Sequence, residues 1–497
     1  MRKRDLLEHL TIGRRVAEEE SDELASYFVE TNQWRKMLAG DVDIVFGPKG
    51  SGKSAIYATL LDRSRQLLDK KVVLVSAENP RGAPAFRDLV ANPPASEAEF
   101  VSLWKLFILS LVGQALVQHE VKGEAARRVR STLHDAGLLP GRLVTLRTIV
   151  RAAREHARRL MHAEALETTL NVDAQTGLPT SVSARITLAE PSSRQRLAGF
   201  VTADELLELA NQALLDAGLT VWILFDRLDI AFAESRKLEA RGLRALFKVY
   251  LDMMALRAIR LKLFLRTDIW RAITAKGFRE ASHITRQTTL AWGEPSLLNL
   301  VVRRLLRNPP LTAAYGIAEP DVLASADRQR EFFDRLVPDQ VDTEADRRTF
   351  EWLVDRIRDG TRQAAPRELI HLLQLARDAQ LERLERGEPE PPGELLFSPE
   401  AFQDALPEVS RARLEQTIFA EYPDSRSFLL ALEQQRTDQT LTTLAGIWQV
   451  DEDTASVIAT GLVELGVFEQ RGTRTNPSYW VPFLYQSALG MVQDPVE

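Results

Sequence analysis

The stretch DIVFGPKGSGKSAIY, Asp43 to Tyr57, runs from an apolar strand pattern through three closely spaced glycines into a helix pattern. Gly47, Gly52, Lys53 and Ser54 match the spacing GxxxxGK[ST]. Glycine lets the backbone curl until its N–H groups face a row of phosphates, and the helix that follows adds its positive N-terminal end. Lys53 is placed to reach the β- and γ-phosphates, and the Ser54 hydroxyl to bind Mg²⁺. The expected contact set is Gly47, Pro48, Lys49, Gly50, Ser51, Gly52, Lys53, Ser54 and Ala55, with ATP and Mg²⁺ as ligands. Lys49 also reads as a simple surface charge, and the whole stretch as a glycine-rich strand-to-helix turn.

Outward from the loop, five short apolar runs have strand character: Val42–Phe46, Val72–Val75, Val221–Phe225, Leu261–Leu265 and Thr288–Trp292. Most are continuous rather than alternating, as in strands of a parallel sheet covered on both faces. Helical stretches separate them, so the fold class is α/β. The gap between the second and third runs is too long for one crossover and holds an insert, placed at about 95–200. Its first part is helical. Leu166, Thr168, Leu170 and Val172, then Val182, Ala184, Ile186 and Leu188, alternate on either side of DAQTG, the pattern of a β-hairpin.

Beyond Trp292 the periodicity is helical, broken at RDGTRQAAP. GEPEPPGE, from Gly387, reads as a semi-stiff linker. The expected divisions are an N-terminal helical segment 1–40, an ATPase core 41–293, a helical lid 294–386, a linker 387–393 and a C-terminal module 394–497. Within that module the order helix, turn, helix, strand, loop, strand suggests a winged helix.

A site of this kind needs an acid at the end of a neighbouring strand. TVWILFDRLDIAF supplies Asp226 at a strand's C-terminal edge, where ligands sit in open α/β sheets. With Ser54 it forms the expected metal pair. Asp229 either orients the attacking water or caps the next helix. LKLFLRTDIW ends in Arg266, Thr267 and Asp268, and a polar side chain there can sense the γ-phosphate. Arg266 is the expected sensor, with an Arg266–Asp268 pair as the alternative. Arg367, in AAPRELI, lies in a helix's first turn, where the dipole does not favour a cation. It suits an anionic partner or is an ordinary surface arginine.

Composition removes other chemistries. The 497 residues include no cysteine, which excludes disulfides, thiolate zinc sites and a cysteine nucleophile, and the seven histidines show no metal-ligand spacing. The net charge of −6 argues against coating nucleic acid through global charge. MRKRDLLEHL lacks the apolar run of a signal peptide. FVSLWKLFILSLVGQALV carries Lys105, Ser110 and Gln114 at its centre and reads as a buried helix, not a lipid span. The expectation is a cytoplasmic protein with no membrane segment.

Together, GPKGSGKSAIY, WILFDRLD, LFLRTD and APRELI resemble the additional-strand class of P-loop ATPases, in the AAA+-related branch holding the STAND and KAP groups. VAEEESDELASYFVETNQW and FDRLDIAF look closer still to a little-characterised bacterial P-loop ATPase family. The resemblance covers roughly residues 16–384. It implies a parallel sheet of order 5-1-4-3-2, ATP binding, and a setting in phage defence or stress signalling. Two departures stand out. Asp229 follows Asp226 by three residues where standard members carry glutamate directly after the aspartate, which implies slow or conditional hydrolysis. The insert also lacks the membrane helices usual in KAP members.

Two functions remain open. One is a nucleotide-dependent regulatory switch read by a protein effector or by self-association. The other is a nucleic-acid-dependent ATPase, of loader or translocase type, binding through residues 120–162. That stretch holds ten lysines and arginines against four acids. It reads as a phosphate-binding patch or as a solvated face. The candidate recognition helix DEDTASVIATGLVEL contains no lysine or arginine, so direct reading of DNA by the C-terminal module is not expected.

Overall fold

The computed structural model describes residues 2–14, 20, 24–77, 94, 96–139, 150–155, 186–187, 193, 196, 200–228, 236–275, 277–342, 347–473 and 476–492. The chain forms two compact units, one of residues 32–47 and 53–289, the other of residues 1–31, 48–52 and 290–497.

The first unit is built on a five-stranded parallel sheet. Its strands are β1 (Ile44–Gly47), β2 (Val72–Ser76), β5 (Thr220–Phe225), β6 (Ile259–Arg266) and β7 (Gln287–Thr289). Two further strands, β3 (Ile186–Thr187) and β4 (Val201–Thr202), pair separately. The large sheet runs β2-β5-β6-β1-β7, every pair parallel. The first four apolar runs read from the sequence are therefore strands of one sheet, while of the fifth, Thr288–Trp292, only Thr288 and Thr289 lie in its strand. Val221 to Phe225 are all buried, as expected for a strand with helices on both faces.

Helix Glu97–Gln118 is the one described helix long and apolar enough to cross a membrane, and 78% of its most apolar window is buried. Trp104 donates its indole N–H to the Gly242 carbonyl at 2.8 Å and meets Phe225 edge-on at 5.9 Å. Phe107 meets the same ring at 6.2 Å. The helix is the filling between the sheet and helices Ala203–Asp216 and Arg236–Met253. Helix Ala203–Asp216 begins in a capping box, with Thr202 accepting from the Glu205 N–H and Glu205 accepting from the Thr202 N–H.

The hairpin expected over 166–188 lies outside the described residues except for Ile186 and Thr187. Those two pair in parallel with Val201 and Thr202, a partner the alternation did not reveal.

The second unit is helical around one continuous apolar cluster. It runs from Leu6 and Leu7 through Val301, Phe350 and Leu373 to Phe402, Leu444, Phe468 and Tyr485. The boundary expected at 387–393 falls inside this unit. The proline-rich segment is docked: Lys3 Nζ donates to the carbonyls of Pro391 and Gly393, and Arg335 forks onto Glu394 at 2.8 and 3.0 Å. Proline stiffens a segment but does not decide whether side chains from elsewhere hold it. The N-terminal 1–40 segment also divides, at Thr31, and its first part is fastened by a buried two-bond pair between Glu20 and Arg304, both bonds 2.9 Å.

At the C-terminal end, β8 (Asp438–Thr440), β9 (Glu469–Gly472) and β10 (Pro477–Trp480) form an antiparallel sheet in the order β8-β10-β9. Helices Leu441–Trp448 and Glu452–Glu464 lie between β8 and β9 in the chain. Helix Pro399–Arg413 continues through a π-helical turn, Leu414–Phe419.

Candidate functional site

All five strands of the large sheet point the same way, so their C-terminal ends share one edge. At that edge β1 ends in Gly47, which pairs in register with Arg266 of β6. Helix Lys53–Asp62 starts six residues after Gly47. Between them Gly50 has φ +81° and Gly52 φ +94°, the left-handed region that a side chain disfavours. A Cβ on Gly50 would lie 3.0 Å from Cβ of Arg367.

The loop is held at several points. The Ser51 N–H donates to the Pro48 carbonyl at 3.3 Å, and the Trp292 indole N–H donates to the Ser51 carbonyl at 2.8 Å. Lys53 Nζ donates to the Gly47 carbonyl at 2.9 Å, folding the lysine back over its own loop. Ser51 is 1% exposed and its Oγ has no hydrogen-bond partner among the described residues. A curled glycine backbone, an ammonium turned over it and a buried hydroxyl without a partner form a donor set that fits a polyphosphate.

Lys49 is not a plain surface charge. Its ammonium pairs with Glu421 and lies 3.5 Å from the Gln416 carbonyl.

Asp226 follows β5 directly and is 4% exposed. β5 and β1 both flank β6, so their ends are separated by two strand spacings, about 10 Å. Arg227, next in the chain, adopts φ +57°, an uncommon conformation for a residue with a side chain and one that collects at functional sites. Asp229 lies outside the described residues. Among the described residues no group of three or more histidine, aspartate or glutamate side chains is arranged to hold a metal alone. Magnesium at Ser54 and Asp226 therefore requires phosphate oxygens to complete its shell.

At the end of β6, Arg266 forks onto Asp268, Nε to Oδ1 at 3.1 Å and an Nη to Oδ2 at 2.7 Å. The pair weighed against a sensing role for Arg266 is thus present, though only 13% and 25% of the two side chains are exposed. Thr267, between them, has a buried Oγ1 with no partner among the described residues. Sequence reasoning favoured the cation; the group left wanting a hydrogen bond is the hydroxyl.

Arg367 opens helix Pro366–Glu385, started by Pro366. It stands beside Gly50, and its Nε has no partner among the described residues. Glu368, next to it, is 5% exposed and takes one hydrogen bond from Arg413 at 2.9 Å. Burial works against the Arg413 charge, but Tyr485, Glu368 and Asp359 outweigh it and hold the guanidinium protonated. Burial raises the Asp359 carboxyl above its ordinary value, against the hydrogen bond from the Thr361 hydroxyl.

In the stretch 120–162, helix Glu124–Asp135 buries Ala126, Val129 and Leu133 and turns Arg127 and Arg128 outward. Lys122, Arg127 and Arg128 have no ion-pair partner among the described residues. Arg142, Arg147, Arg158 and Arg159 lie outside them.

No family model matches this chain, and no curated protein does. Among solved structures it aligns with the Aeropyrum pernix ORC2 protein in its ADPNP–ADP complexes, at 12% identity over 97% of this chain and 96% of that one, with a TM-score of 0.30. The ADP form of the same protein aligns at 12% identity over 97% and 93%, with a TM-score of 0.29. A likeness at that TM-score carries no weight for fold or function.

Proposed function

We propose that the chain binds Mg²⁺-ATP at the Gly47–Ala55 loop and hydrolyses it slowly, as an AAA+/STAND-related switch whose nucleotide state is passed to a protein partner. The observation that carries this reading is the curled loop at the C-terminal edge of a parallel sheet, with the buried Asp226 carboxylate at the same edge. Lys53, now on the Gly47 carbonyl, would hold the β- and γ-phosphates, and Ser54 with Asp226 would hold the metal. Magnesium, when bound there, would supply neutralisation of the phosphate charge. Thr267 takes the γ-phosphate-sensing role in place of Arg266, because its hydroxyl has no other partner among the described residues. Arg367 adds a cation beside Gly50, and Asp229 remains the candidate for orienting the attacking water.

The C-terminal module is a winged helix in this reading and contacts protein rather than DNA. Helix Glu452–Glu464 exposes Glu452, Asp453, Val457 and Glu464, a face that repels phosphate.

Melting with saturating Mg²⁺-ATP tests the core of the proposal. At a hundredfold excess over Kd the native chain gains about 2.7 kcal/mol, and Lys53→Ala loses that gain. No shift in the folded native chain refutes it.

A second reading, nucleic acid bound along helix Glu124–Asp135, is favoured by the outward Lys122, Arg127 and Arg128, which have no ion-pair partner among the described residues. It requires binding whose affinity falls steeply with salt and is weakened by Arg127→Ala with Arg128→Ala. Absence of binding to single- and double-stranded DNA and RNA at low salt removes it.

A further inference from the structure

Helix Pro399–Arg413 and its π-helical continuation are fastened at two places. On the C-terminal side, the Ala488 N–H donates to Ser410 Oγ at 2.9 Å, and Arg413 Nε reaches the Tyr485 hydroxyl at 3.4 Å. At the far end, Gln416 and Glu421 take hold of Lys49, in the middle of the phosphate loop. The same helical run reaches the loop's surroundings a second time, because Arg413 fixes Glu368, whose Oε2 lies 3.5 Å from where a Gly50 Cβ would sit. π-Helical turns recur at functional sites because they realign the carbonyls of an otherwise regular helix. Here one such carbonyl, Gln416, faces the Lys49 ammonium.

The electrostatics give this contact a direction. Lys49 is 29% exposed and Glu421 19%, so solvent only partly screens the pair. A polyphosphate entering the loop competes with Glu421 for Lys49. A cavity of about 150 Å³, lined by Arg367, His371, Arg413, Gln416 and Thr417, lies along the helical run.

We infer that Lys49 and Glu421 form a latch through which the C-terminal module sets the nucleotide affinity of the phosphate loop, and through which bound nucleotide loosens that module in return. The inference rests on the Mg²⁺-ATP reading above. Coupling of this kind is reciprocal, so both directions can be measured. Lys49 acts here as the cation the polyphosphate contends for and Glu421 as the group that restrains it.

The test uses the full chain and a double-substitution cycle on the Mg²⁺-ATP dissociation constant, with melting curves without nucleotide as a check of folding. Glu421→Gln is expected to tighten Mg²⁺-ATP about fivefold, and to do nothing in a Lys49→Met background. Hydrogen exchange across residues 414–421 is expected to quicken when Mg²⁺-ATP binds the native chain, which a purely structural pair would not show. Should Lys49→Met fail to fold, Lys49→Arg keeps the pair and must keep the fivefold response. Equal effects of Glu421→Gln in both backgrounds, or none in either, overturn the latch while leaving the binding site standing. Failure of the native chain to bind Mg²⁺-ATP overturns both.

Discussion

Lys262 sits in the middle of a central strand and is 0% exposed. Its ammonium donates to the Val42 carbonyl at 2.5 Å and to Asp43 Oδ1 at 2.8 Å, and lies 4.3 Å from the centre of the Trp222 ring. Asp43 also accepts from Arg286 Nε at 2.6 Å and from the Tyr250 hydroxyl at 3.4 Å. Burial lowers the lysine from its ordinary 10.5 to about 8, outweighing the attraction of Asp43, while Arg260 and Arg286 push the same way as burial. Burial raises the Tyr250 hydroxyl, so it stays neutral in the folded chain across the range below.

The unfolded chain keeps this lysine protonated up to pH 10.5, whereas the folded chain releases the proton near pH 8. Between those values the unfolded state binds more protons, so stability rises with pH. The contribution is complete above pH 10.5 and lost as pH falls through about 8. At about 1.4 kcal/mol per pH unit, the whole window is worth about 3 kcal/mol, of which about 2 kcal/mol accrues between pH 7 and 9.5. Lys262→Met keeps the length of the side chain and removes its titration, while Asp43 retains Arg286. Urea unfolding of native and variant chains at pH 7, 8, 9 and 9.5 should show the native chain gaining about 2 kcal/mol on the variant across that range. A difference between the two that stays constant with pH to within about 0.5 kcal/mol refutes the reasoning, because it means that burial has not lowered the lysine.

Three further outcomes are expected. Thr267→Val removes a buried hydroxyl that has no partner among the described residues, so the melting temperature should not fall, while ATP turnover drops about tenfold or more at unchanged Kd; unchanged turnover clears the residue of sensing. Gly50→Ala forces a side chain into φ +81° and against Arg367, which should cost about 1–2 kcal/mol in melting experiments and weaken Mg²⁺-ATP binding as well. Gly360→Ala would bring a Cβ within 2.1 Å of the Phe468 carbonyl oxygen, so thermal unfolding should reveal a loss of about 1–3 kcal/mol.

The strands were legible because a strand covered on both faces writes itself as an unbroken apolar run, a local property. Their ends were less so: β6 extends two residues before Leu261 and one beyond Leu265, and it carries Lys262 inside its apolar run. Nothing within LKLFL announces that Asp43 and the Val42 carbonyl wait for that ammonium from a neighbouring strand. The glycine loop was legible for the same local reason, since curl, cation and hydroxyl lie within eight residues of one another. The alternating run ending at Leu188 signalled extended chain at Ile186, but alternation does not name a partner, and Val201 supplied it.

What stayed hidden depends on contacts far apart in the sequence. Lys49 and Glu421 are 372 residues apart, and each by itself reads as a solvated charge. The prolines of 387–393 describe a spacer only while Lys3 and Arg335 are out of view. Arg266 and Thr267 show the limit from the other side, because both are polar residues at one strand end and charge alone favoured the arginine. The structure separates them by what each already holds: the guanidinium has Asp268, and the hydroxyl has no partner among the described residues. A group whose hydrogen bonds the fold has not already used serves an incoming ligand at least cost, and that inventory exists only in three dimensions. By the same inventory, Ser51 Oγ and Arg367 Nε, like Thr267 Oγ1, have no partner among the described residues, while Lys49 is already paired with Glu421.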